Sequence, residues 1–386
     1  MKKQLTRIAS WMLLATMGQA GAFAQNIRID MNQTYPEKTI NLQKVADVKY
    51  IPLETTDEVL FNGIVTNLSA EGIAGFNKKE GDILVFDGTG KAIASFNHTG
   101  QGPNEYNKIY HLDVDWKQKE VYVQDNFRQK IRIYGLDGRH LRTIDLQETM
   151  QEGDLYSFSD THLIYYAKPK SKPVTAYEPV TLLSKKDASK VTLPFTKTDD
   201  NLVKATGGPF GDMKMSAKNV NLLCKKGDEV YVNEVTADVI YRVESNHALT
   251  PVVERTPSYQ DASGQDFFLM LTGANARYYF FKRQQALLEF QGNAATDTKS
   301  TYVAYDRKEK QLLNPTFTNE DYPSQDIPMS KLLQCAGSAN RCYLQLEAFK
   351  LKEALAEGKL KGTLKSIAEK LDEEDNPVLM VVEFKK

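Results

Sequence analysis

A unit of about 48 residues recurs in this chain, and few folds can be built from such a unit. Ile83-Leu84-Val85-Phe86-Asp87-Gly88-Thr89-Gly90-Lys91-Ala92-Ile93-Ala94-Ser95-Phe96 alternates with a period of two on either side of a turn, where Gly90 supplies the positive φ of a hairpin. About 48 residues on, 131–144 repeats the order of β-branched, aromatic, glycine, basic and apolar residues. Weaker echoes run through 182–195, 239–253 (Asn246-His247 at the turn) and 302–317. Each follows an alternating stretch such as Val121-Tyr122-Val123 or Val230-Tyr231-Val232, which makes about four strands per repeat. Such a unit buries its faces only against copies of itself around a ring, so the expected fold is all-β, a β-propeller. A β-sandwich has no reason to repeat a unit of this length. The aromatic content, mostly Tyr (19) and Phe (17), suits half-buried strands.

Counting from Ile64 gives five units, which end near Phe317 and leave strand-like residues at both ends. Lys49-Tyr50-Ile51-Pro52-Leu53-Glu54 and Val378-Leu379-Met380-Val381-Val382-Glu383-Phe384 are expected to meet in a sixth blade, because closing the ring removes exposed strand edges. Before the last strand the texture changes. Leu360, Leu364, Ile367, Ala368 and Leu371 fall at helical spacing with Lys and Glu opposite, and Pro377 follows. The expectation is one six-bladed propeller domain over 25–386, with a helical insertion at 329–376 inside the closing blade.

The N-terminus has the three parts of a secretory signal peptide: Lys2, Lys3 and Arg7, an apolar run through Ala15, and Ala22-Phe23-Ala24 as an A-x-A cleavage site. Cleavage after residue 24 implies a periplasmic or extracellular protein. The apolar run is shorter than the ~20 residues of a membrane span, so no span is expected after cleavage. The mature chain carries 46 basic and 50 acidic residues, which argues against nucleic acid as a partner. Three cysteines, Cys224, Cys335 and Cys342, are too few for a disulfide framework; Cys335 and Cys342 either pair across a turn or stay as buried thiols.

Gly100-Gln101-Gly102-Pro103-Asn104-Glu105-Tyr106, Leu112-Asp113-Val114-Asp115, Val121-Tyr122-Val123-Gln124-Asp125-Asn126 and Lys130-Ile131-Arg132-Ile133-Tyr134-Gly135-Leu136-Asp137-Gly138-Arg139 together resemble one complete NHL-type propeller repeat. With Tyr50-Ile51-Pro52-Leu53-Glu54-Thr55 and Asp375-Asn376-Pro377-Val378-Leu379, the chain is similar to six-bladed β-propeller proteins of unknown function exported by some Gram-negative bacteria. The resemblance runs in order over most of the mature chain. Gly207-Gly208-Pro209-Phe210 is the one trace of the glycine motif in the third to fifth blades.

Gly100 and Gly102 let the chain turn sharply between one blade and the innermost strand of the next, near the channel mouth. There Gln101, Asn104, Glu105 and Tyr106 either face a ligand, or serve the fold, with Tyr106 plugging the gap between blades and Glu105 bonding loop amides. Asp113, Asp115 and Asp125 carry hard oxygens, but strand-end aspartates most simply cap loops. The histidines (His98, His111, His140, His162, His247) lie singly, outside any zinc spacing, and no Gly-x-Ser-x-Gly elbow or phosphate loop occurs. Neither catalytic residues, nor a metal, nor a cofactor is therefore expected. The expected function is non-catalytic binding of a glycan, peptide or envelope protein at the channel mouth, by a monomer. The alternative is a metal- or carboxylate-dependent lyase or hydrolase using the channel.

Overall fold

The computed structural model describes residues 26–385 except 147–148, 169–176, 197–201, 207–212, 217–221, 262–266, 292–293, 296–298, 333–335 and 338–339. The segment expected to be a signal peptide, the 207–210 motif and Cys335 lie outside the described residues.

Six blades form a ring. Blade one is Ile64–Leu68, Gly72–Phe76, Ile83–Asp87 and Ala92–Phe96; blade two is His111–Asp115, Glu120–Asp125, Lys130–Gly135 and His140–Asp145. Blade three is Thr149–Ser157, His162–Lys168, Val180–Ser184 and Lys190–Thr192; blade four is Leu223–Lys226, Glu229–Val232, Val239–Val243 and Leu249–Thr256. Blade five is Phe267–Ala274, Tyr278–Gln285, Ser300–Asp306 and Gln311–Thr318. In blade one the second strand is buried throughout, whereas the outermost alternates between half-buried and exposed. The reason is radial stacking: middle strands are covered on both faces by neighbouring blades, so they read as continuous apolar runs.

The outer hairpin shows why the repeat fades along the chain. Its turn needs one left-handed residue, and Gly90 (φ 92), Gly138 (φ 80), Ala188 (φ 58), His247 (φ 70) and Lys310 (φ 53) fill that place in blades one to five. Only the first two are glycines, the residue that adopts this conformation without strain. The later blades keep the geometry after losing the residue that announces it.

The closing blade joins the two ends of the chain. Val378–Phe384 lies between Arg341–Leu346 and Ala46–Pro52, with Tyr50 opposite Met380 and Pro52 opposite Val378. Two helices, Ala348–Ala356 and Gly362–Ala368, are inserted before this last strand. They bury Leu351, Ala354, Leu364 and Ala368 in one core with Tyr278, Phe317 and Phe384. None of the helices among the described residues is long and apolar enough to cross a membrane.

Two features were not legible beforehand. Ile27–Asp30 and Glu37–Asn41 add parallel fifth strands to the outer edges of blades four and five, covering edges that would otherwise be open. A small accessory sheet also pairs Leu202–Thr206 with Leu287–Gln291, uniting segments inserted before blade four and within blade five.

The channel is crossed by backbone. Ala336, just ahead of the closing blade, makes parallel single-residue bridges to Asn67 of blade one and to Gly227 of blade four, and its carbonyl accepts the Leu68 amide at 2.9 Å. Blades one and four stand opposite each other in a ring of six, so the chain spans the channel at this level. Gly337 follows with φ 100, and a Cβ there would collide with the Asn67 side chain.

Removing the last ten residues strips the middle strand from the closing blade, and a cooperative thermal transition should be lost; a truncated protein melting at the full-length temperature would refute this account of closure. Gly337→Ala should cost about 1–3 kcal/mol in urea unfolding, from the left-handed backbone and the clash.

Candidate functional site

The segment 97–110 links the outer strand of blade one to the inner strand of blade two, and the sequence-derived site residues all lie on it. Tyr106 is fully buried. Its hydroxyl donates to the Gly81 carbonyl (2.7 Å) and accepts the His98 amide (3.0 Å), and its ring meets Tyr134 edge-on at 6.1 Å. It therefore fills the seam between blades one and two and is removed from the ligand-facing set. Glu105 is half-buried, and its carboxylate accepts the Gly102 amide at 2.7 Å. That carboxylate occupies the space a Cβ on Gly100 would need, so the first glycine of the motif is there for close approach. Asn104 gives its carbonyl to the Tyr134 hydroxyl (2.8 Å) and, like Gln101, is exposed.

Arg128, which the sequence did not single out, clamps this loop. Its guanidinium donates to the carbonyls of Gly100 (3.0 Å) and Gly102 (3.0 Å) and to the Gln101 side chain (2.8 Å). The turn carrying Arg128 is itself held by Asp125, which caps the Arg128 and Asn107 amides and forms a buried ion pair with Arg132 at 3.0 Å. This fixed turn presents Phe127, 68% exposed, beside Tyr110, with ring centroids 6.2 Å apart. Lys108 lies over the Tyr110 ring at 5.2 Å. Tyr110 immediately precedes the inner strand of blade two, and Phe127 lies on the turn between its second and third strands, which Arg128 ties to Gln101. The available signal was a phenylalanine in a turn between two strands, where polar residues are usual.

Inside the ring, four consecutive blades share one polar network. Asn67 of blade one donates to Asp113 of blade two (2.6 Å), which also accepts the Ser157 amide of blade three (2.7 Å). Lys225 of blade four reaches the Ser157 carbonyl (2.8 Å) and pairs with Asp113 at 3.6 Å. Asp115 pairs with Lys185 at 2.6 Å. Burial pushes the Asp115 carboxyl up, yet the bonds from Lys185 and the Gln118 amide outweigh it and hold the group below its usual range. Asp113 spends its oxygens on donors of neighbouring blades rather than on a loop cap, whereas Asp115 also accepts the Gln118 amide of its own turn. Cys224 and Cys342 are buried free thiols.

Two buried groups respond to pH in opposite senses. His111, against the Tyr156 ring, has an Nε2 without a hydrogen-bond partner among the described residues, and burial pushes its pKa down to about 4. Burial holds Asp154 well above the carboxylate range, although one oxygen accepts the Leu223 amide. His111 makes stability fall as pH drops from about 6.5 towards 4, because only the unfolded chain takes up its proton there. For Asp154, whose folded pKa is raised, stability is full below about 4 and is lost as pH rises. Asp154→Asn should therefore raise the melting temperature at pH 7, with the gain vanishing near pH 4; a gain independent of pH would contradict this assignment.

The family model described as a domain of unknown function, DUF4934, matches residues 26–383. No curated protein matches the chain. Among solved structures, a protein from Bacteroides fragilis thought to be exported aligns over 93% of this chain and 99% of its own, at 15% identity and a TM-score of 0.62. A member of the DUF4221 family from Bacteroides vulgatus aligns over 89% of this chain and 98% of its own, at 8% identity and a TM-score of 0.50. At such identities the likeness concerns the fold alone. The match over nearly the whole described chain, on a six-bladed propeller joined through its two ends, means that this protein belongs to the DUF4934 family.

Proposed function

We propose that the chain is an exported, non-catalytic binding propeller that takes a glycan, a peptide or another envelope protein at the channel rim beside blades one and two. The observation that carries this reading is Phe127, two-thirds exposed on a turn that Arg128 and Asp125 immobilise. Leaving a phenylalanine in water forgoes about 1.5–3 kcal/mol of burial, and holding it rigid gives a ligand that free energy without an ordering cost. Tyr110 supplies a second ring with Lys108 over it, and the exposed Gln101 is held by Arg128 next to Phe127. A central aromatic anchor with a polar rim is the composition of an interaction hot spot. The chain at Ala336 crosses the channel, which favours a ligand seated on the rim over one threaded through the ring. The N-terminal leader and the name of the Bacteroides fragilis relative support export to the periplasm or the cell exterior.

A thermal-shift screen of oligosaccharides and peptides should find a stabilising ligand. Phe127→Ala should then weaken its binding about tenfold or more while leaving the melting temperature of the free protein nearly unchanged. Turnover of any screened compound would favour the lyase or hydrolase reading instead, and an unaltered affinity in Phe127→Ala would move the site elsewhere.

A further inference from the structure

Two histidines that the sequence keeps far apart meet between blades three and four. His162 opens the second strand of blade three, and His247 sits in the outer hairpin of blade four, between Val239–Val243 and Leu249–Thr256. Their ring centroids lie 5.9 Å apart with the planes at 73°, and Phe158 packs beside His247 at 6.4 Å. Both histidines are half-buried, so water reaches the pair.

Each imidazole is carried on a turn that its own bonds hold. The Ser159 hydroxyl accepts the His162 amide at 3.1 Å, and the His162 carbonyl accepts the Phe158 amide at 3.0 Å. Thr161 Oγ1 is hydrogen-bonded to Nδ1 of His162 at 2.8 Å, which orients the ring and leaves Nε2 for a ligand. His247 takes the left-handed place of its hairpin with φ 70, and its amide donates to the Glu244 carbonyl at 2.8 Å. Imidazoles that share one metal ion, each nitrogen about 2.0–2.1 Å from it, bring their ring centroids to roughly 5–6 Å. The separation of His162 and His247 matches that span, and imidazole torsions are broad enough to aim a nitrogen of each ring at one point. Such donors suit copper, nickel and zinc, whereas magnesium and calcium take oxygen ligands. Among the described residues no third histidine, cysteine or carboxylate completes the set, so water fills the remaining positions.

We propose that His162 and His247 form a site for one divalent late transition-metal ion, held between blades three and four. It is independent of the ligand reading above. The test titrates the untagged mature protein, stripped of metal by a chelator, with Cu2+, Ni2+, Zn2+ and Ca2+ by calorimetry. Cu2+ should saturate one site more tightly than Ni2+ or Zn2+, and Ca2+ should not bind. His162→Gln and His247→Asn, the latter keeping a residue that tolerates left-handed backbone, should each weaken Cu2+ about tenfold or more, whereas Phe127→Ala should leave it unchanged. Electron paramagnetic resonance of the bound Cu2+ should show two nitrogen ligands in the unaltered protein and one in either histidine variant. Absence of a saturable site, an affinity unchanged in either histidine variant, or a spectrum without two nitrogens would overturn the proposal.

Discussion

The pairing of Val378–Phe384 with Ala46–Pro52 is the contact on which the rest of the molecule rests. The four core strands of every other blade follow one another in sequence, and such a unit stays exposed on both faces until neighbours cover it. A strand from the start of the chain must find one from the end before the ring can exist. That pairing carries the longest loop closure in the protein, yet it converts a row of separate sheets into one body with continuous inter-blade cores.

Ring closure also makes the polar interior tolerable. Buried charge is costly unless each ion is paired and bonded. Here Asn67, Asp113, Ser157 and Lys225 come from four successive blades and satisfy one another across the channel. The arrangement works only when all four blades hold their radial positions, so it reports the geometry of the ring as much as it stabilises it. Ala336 adds a backbone bridge between opposite blades at the same level. Burial lowers the pKa of His111 and raises that of Asp154 in this region, because the surroundings that serve the paired charges penalise isolated ones.

The 97–110 loop illustrates how a motif can be recognisable while its role is decided elsewhere. Its glycines, Glu105 and Tyr106 form a geometric device, since the glutamate occupies the space that side chains at Gly100 and Gly102 would need and the tyrosine closes the seam. The side chains that look outward from the same region are Gln101, Asn104 and Phe127, and the last belongs to a different part of blade two. Arg128 connects the two parts, and nothing in its sequence neighbourhood shows that its partners lie more than twenty residues earlier.

Local pattern made the first two blades plain and the later ones faint, because period-two alternation and turn chemistry act over a few residues, and the meeting of the chain ends followed from the need to close the ring. The apolar stripe of Gly362–Ala368 was legible for the same reason, but the expected helical insertion at 329–376 was too broad, since it contains the strand Arg341–Leu346, whose place beside Val378–Phe384 is a long-range relation. Where Ala188, His247 and Lys310 take the left-handed turn place of Gly90 and Gly138, the repeat was hidden although the geometry persisted. Only the tertiary structure decided that Tyr106 is sealed in a seam, that Phe127 stands exposed beside Tyr110, that Ile27–Asp30 and Glu37–Asn41 extend two outer edges, and that Ala336 bridges opposite blades. Each of these depends on which blade lies opposite or beside which, a relation set by closure of the ring over hundreds of residues.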